Sequence, residues 1–178
     1  MVRTAFLALL PLLTLAAALP AQAQWIAAGR WGDETGFRYV QPGRWMVLER
    51  GGRVEMSAEG DNHLGRLTLS CDAGNPRGRM IFDAYRGPGL AESVLSPEQP
   101  GRESVTLLID GQPFSGTFEY RPNDRYWLAD GGLTPEFLDA LAGGLGMEMR
   151  DSSGESVTRF RLSGTGAARA TVARLCGI

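Results

Sequence analysis

Few residues in this chain have the type and spacing to do chemistry. The single histidine, His63, follows Asp61 and Asn62. A histidine base needs a nucleophile within hydrogen-bond reach, and no G-x-S-x-G elbow accompanies it. A turn histidine beside a turn aspartate is the reading its neighbours favour. Asp72, Asp83, Asp110, Asp124, Asp130 and Asp151 supply carboxylates, nearly all at expected turns or strand ends. Two of them, distant in sequence, would suffice for glycoside hydrolysis, but the pattern selects no pair, and no spacing fits a calcium loop. A zinc site takes three or four nitrogen or sulfur ligands, more than one histidine and two paired cysteines provide. No cofactor is expected. Gly164-Thr165-Gly166 lies between a strand and a helix like the start of a dinucleotide fingerprint. Arg169 replaces the third glycine, however, and no βαβ unit follows. Ser163 or Thr165 is therefore expected to cap the helix, with Arg169 near any anion at that end. Tyr120, Arg125, Tyr126 and Trp127 gather residue types that concentrate binding energy; the competing reading makes Trp127 ordinary core.

The cysteines say more. Cys71 and Cys176 are the only two. The first 23 residues read as a secretory signal: Arg3, an apolar run, then Ala21-Gln22-Ala23 as the cleavage site. No later apolar run approaches the ~18 residues of a membrane span, so no transmembrane anchor is expected. An exported chain with two cysteines predicts one disulfide. Removing Arg3 makes the formal charge of −2 one unit more negative, which disfavours nucleic acid as a partner. All basic residues are arginine, a side chain suited to bidentate pairing with carboxylates.

The elements that must position these residues follow from alternation and turn chemistry. Residues 24–43 read as a loose arm with a strand at 37–41. Gly51-Gly52 between 45–50 and 53–58 predicts a hairpin, because a type I′ turn needs positive φ at both positions. Strands are expected at 64–71, with Leu67, Leu69 and Cys71 inward, and at 79–85, followed by a loop over 87–101. Asp110-Gly111 predicts a second hairpin between 104–109 and 113–121, and 125–129 returns as a strand. Thr134-Pro135-Glu136 starts a helix whose stripe is Phe137, Leu138 and Leu141, ended by Gly143-Gly144. Strands at 145–151 (Leu145, Met147 and Met149 inward) and 157–162 follow. A final helix puts Ala168, Val172, Leu175 and Cys176 on one face.

The second half, with VTLLIDGQP, RYWLAD, PEFLDALAGGLGMEMR and FRLSGTGAARATVARLC, resembles exported two-cysteine proteins of Gram-negative bacteria, including periplasmic accessory proteins of type VI secretion. The shared features are the F-x-L-x-G…A…C ending and an upstream cysteine. The resemblance implies an exported β-rich fold with a disulfide and brings no catalytic residues.

The fold expected is α+β: mainly antiparallel β, a sandwich or curled sheet, with two short helices late in the chain. A signal peptide (1–23) precedes one β-rich domain (24–178) closed by its C-terminal helix. The function expected is a non-enzymatic periplasmic or secreted interaction module that binds another protein. The alternatives are a small secreted hydrolase with a carboxylate-based site and a carrier of a small apolar ligand.

Overall fold

The computed structural model describes residues 43–63, 65–84, 89–90 and 101–178. The expected signal peptide, the arm with its strand at 37–41 and most of the loop over 87–101 lie outside them. Nine strands and two helices follow in order: β1 Met46–Arg50, β2 Arg53–Glu59, β3 Arg66–Asp72, β4 Arg79–Asp83, β5 Arg102–Ile109, β6 Gln112–Arg121, β7 Tyr126–Asp130, α1 Pro135–Gly143, β8 Gly146–Arg150, β9 Ser156–Arg161 and α2 Thr165–Cys176. All strand pairs are antiparallel, in one sheet of order β1-β2-β3-β4-β7-β6-β5-β8-β9. Of the two arrangements the sequence left open, the single curled sheet is the one formed.

Both glycine-containing turns behave as their chemistry requires. Gly51 and Gly52 have φ of 58° and 78°, and Asp110 and Gly111 have 46° and 90°. These are the two positive angles that let a two-residue loop match the twist of its strands. Alternation then sorts side chains to one inner face. Val54 lies opposite Cys71, Leu69 opposite Met80, Phe82 opposite Trp127, Leu107 opposite Met149, and Met147 opposite Phe160. All of these are buried.

The sheet is not closed by a continuous ladder, but its two ends are stitched together. Arg44 and Ser163 form a parallel bridge, and the Trp45 N–H donates to the Ser163 carbonyl at 3.1 Å. The Trp45 indole donates to the Arg161 carbonyl at 3.0 Å. After β2, the Asp61 N–H donates to the Arg159 carbonyl at 2.7 Å, and the buried Thr158 hydroxyl donates to Asn62 Oδ1 at 2.7 Å. An edge strand is a row of unpaired backbone groups, and this seam satisfies several of them.

The helices lie against the sheet. Thr134 caps α1 by accepting from the Phe137 N–H at 3.2 Å, with Pro135 in the first turn. Its buried stripe is the expected Phe137, Leu138 and Leu141. α2 buries Ala168, Val172 and Cys176, and Cys176 is bonded to Cys71 of β3 across a Cα separation of 6.0 Å.

Two local expectations are corrected. Leu145 is 86% exposed. It precedes β8, in the α1–β8 connection, where its backbone rather than its side chain is used: its N–H donates to Asp110 Oδ2 and its carbonyl accepts from Leu162. Neither Ser163 nor Thr165 caps α2. The cap is Gly164 at φ 89°, without a side-chain hydrogen bond, and the Thr165 hydroxyl turns back to the Leu162 carbonyl at 2.8 Å.

Candidate functional site

Three places among the described residues can be weighed against chemistry. The first is an acidic row on the outer face of the sheet. Register places Glu59, Arg66 and Asp83 side by side on β2, β3 and β4. Arg66 Nη2 is 3.7 Å from Asp83 Oδ2, and His63, left-handed at φ 57°, brings Nδ1 to 3.9 Å from Glu59 Oε1. Glu59 is fully buried. Burial pushes its pKa up to about 8, Arg66 opposing and Asp83 reinforcing the rise. Burial also raises Asp83, against Arg66 and Arg125. Such shifts mark functional carboxylates in clefts, but Arg66 stands between these two. Glu59 is largely protonated at neutral pH, so it cannot act there as the anion that orients a histidine. At 3.9 Å the pair is also beyond hydrogen-bond length.

The sequence pointed His63 toward Asp61; its actual neighbour is Glu59. The only available hint was the i, i+4 spacing, and a broken turn separates the two. His63 keeps about half of its side chain in solvent, so truncating it removes little packing, and the left-handed backbone, which alanine adopts less readily, keeps the cost within about 1 kcal/mol. His63→Ala is therefore expected to fold normally and to melt within about 4 °C of the parent. It should also support any deletion phenotype as well as the parent does. A folded His63→Ala protein that has lost the phenotype would bring a hydrolase to the front.

The second place is a broad open cleft of about 390 Å³ where β8 and β9 meet the Asp110 turn. Its carboxylates already have structural work. Asp110 accepts the N–H groups of Leu145 and Gly146 at 2.8 and 3.0 Å. Glu148 is held down to about 2 by the Ser156 hydroxyl and by Arg150 and Arg159, which lie at 2.9 and 3.3 Å. A carboxylate so firmly ionised cannot serve as a general acid near neutral pH.

The third place is an opening in the sheet itself. β6 and β7 pair only over Glu119–Leu128, Tyr120–Trp127 and Arg121–Tyr126, then part. Between β6 and residues 129–134 lies a cleft of about 290 Å³, with Met80, Leu107, Phe114 and Phe118 beneath it and Asp130 and Thr134 at its margin. Gly116 helps make the space: a Cβ built there would meet nothing closer than Phe118 Cε2 at 4.0 Å. Small-molecule pockets usually span roughly 300–1,000 Å³, so this cleft is at the bottom of the range.

No family model, no characterised protein sequence and no solved structure matches this chain.

The four residues singled out for binding do not share one surface. Trp127 is fully buried, with its ring centroid 5.2 Å from that of half-buried Tyr120. Tyr126 alternates to the other face, and Arg125 is an exposed turn residue at φ 58°. What their segment does is hold the point where β6 and β7 diverge. Sequence reasoning missed the cleft because Gly116 reads only as a small member of an inward-facing series. Among the described residues no cluster of His, Cys, Asp or Glu could hold a metal ion, and no helix is long and apolar enough to cross a membrane.

Proposed function

We propose that this chain is an exported, disulfide-stapled binding module that acts on another protein in the periplasm or outside the cell, without catalysis. The observation that carries the reading is the content, among the described residues, of the cleft between β6 and residues 129–134. It has an apolar floor, two hydroxyl side chains on β6 and a single carboxylate, Asp130. His63 lies elsewhere, so a serine or threonine here has no imidazole base, and among the described lining residues Asp130 has no opposing acid. Catalysis by a nucleophile–base pair or a carboxylate pair requires such neighbours. The cleft volume also argues against a carrier of a sizeable apolar ligand.

The disulfide fits an oxidising compartment. Export to such a compartment is further supported by the n-region, apolar run and A-x-A pattern of residues 1–23, and by the resemblance of the C-terminal half to exported accessory proteins. The test has two parts. Protein from the periplasm should have an intact mass beginning at Gln24, and cross-linking there should recover one partner whose binding to the purified mature domain saturates. A full-length mass in that fraction would overturn export. A hydrolytic activity abolished by Asp83→Asn would overturn the non-catalytic reading.

A further inference from the structure

We propose that the edge of β6 at Ser115 and Thr117 captures an extended segment of a partner protein as an added strand, seating one apolar side chain of that segment in the cleft. The inference deepens the binding reading above and rests on it.

The backbone directions follow from the hairpin. Ile109 and Gln112 flank the two-residue Asp110-Gly111 turn, so they form a hydrogen-bonded pair, and every second residue of β6 repeats it. Gln112, Phe114, Gly116 and Phe118 therefore bond to β5. The Tyr120 N–H donating to the Gly101 carbonyl at 2.8 Å continues the series. The residues between them point the other way. Glu119 finds its partner in Leu128 of β7. Pro113 has no N–H to offer. Ser115 and Thr117 remain, each directing an N–H and a carbonyl toward the opening. Among the described residues no strand pairs with them on that side. The Ser115 hydroxyl is separately engaged, 3.2 Å from Thr106 Oγ1 on β5.

Two donors and two acceptors at a two-residue spacing are the template of a β-ladder, which an extended backbone matches. The occupant must be a single strand. The cleft has walls of the protein's own chain on both sides, β6 on one and residues 129–134 on the other, so the edge of a folded sheet cannot enter. Alternate side chains of an added strand point inward, toward the floor beneath Gly116. The exposed Asp130 carboxylate at the margin is in no ion pair among the described residues, although Arg79 stands opposite it on β4. The segment therefore alternates apolar with polar residues and carries an arginine or lysine toward Asp130.

The probe is a display library of random dodecapeptides selected on the disulfide-bonded mature domain. Two variants serve as controls. Thr117→Pro removes one outward N–H at a position where an edge strand tolerates proline. Gly116→Leu fills the floor. Enriched peptides should alternate apolar and polar residues, shift the amide resonances of Ser115 and Thr117, and bind each variant at least tenfold more weakly, while both variants keep the parent melting temperature. Peptides that bind without moving those amides, or equally well to both folded variants, would overturn the inference. So would failure to enrich any peptide, or a self-association of the domain that Thr117→Pro abolishes. A native partner that binds both folded variants as tightly as the parent would sink strand addition and leave the binding function standing; absence of any partner would sink the function itself.

Discussion

Breaking the Cys71–Cys176 bond lowers the stability of the domain by up to about 5 kcal/mol, the value the loop-entropy model gives for a loop of about 100 residues. The bond spans 105 residues. Whole domains are stable by only ~5–15 kcal/mol, so the loss is a large fraction of the total. The local structure explains why little else replaces it. α2 starts at a glycine without a side-chain cap. Its ion pairs, Arg174 with Glu49 at 2.7 Å and Arg169 with Asp139 at 2.6 Å, lie in or near solvent, where such pairs contribute roughly 0–1 kcal/mol. Ala168 and Val172 are its buried aliphatic anchors, with Cys176 completing the stripe. For a urea slope of about 2 kcal/mol/M, the oxidised midpoint should exceed that of the Cys71→Ala, Cys176→Ala variant by roughly 2 M. Amide exchange in 165–176 should accelerate first. Coincident midpoints would show that the bond constrains nothing.

The second large effect is a pH dependence set by Glu59. Its pKa is 4.5 unperturbed and about 8 in the folded protein, with burial as the first cause. The folded state therefore holds a proton that the unfolded state releases. Stability is greatest below about 4.5, falls as pH rises from there, and levels off above about 8. The whole difference is at most about 5 kcal/mol, equivalent to a melting shift on the order of 10 °C. Asp83, also raised by burial, adds in the same sense. Glu148 and Asp151 are lowered and act oppositely, their contribution being lost as pH falls below their unperturbed values. The interval from pH 5 to 8 therefore isolates the buried acids. Glu59→Gln keeps the shape and removes the charge, so it should melt higher than the parent at pH 8, by less at pH 5, and nearly flatten the curve between. A parent whose melting temperature does not change from pH 5 to 8 would show that Glu59 is ionised in the fold.

Much of this architecture was legible in the residues. Alternation found the inner face, the Gly51-Gly52 and Asp110-Gly111 turns found the hairpins, and Thr134-Pro135 found the start of α1, because each signal is local. Alternation says which face a residue takes but not which strand stands beside it. The pairing of β4 with β7 and of β5 with β8 was therefore out of reach. The same limit hid the seam, where Asn62, to all appearance a turn residue, meets Thr158. It also hid the burial of Glu59, a charged residue at a strand end that reads as solvated. Gly164 was misread for a different reason: a serine and a threonine nearby offered the commoner cap, and the left-handed glycine displaced both.

The placement of the sulfur bond also has a mechanical side. Tension applied beyond Cys71 and Cys176 passes from β3 straight into the end of α2. The strands from β4 to β9, with α1, sit in a closed loop that carries none of the load. Only the chain outside the loop, including the β1–β2 hairpin, can be drawn out while the bond holds, so a pull on the ends cannot extend the strands that frame the cleft between β6 and β7.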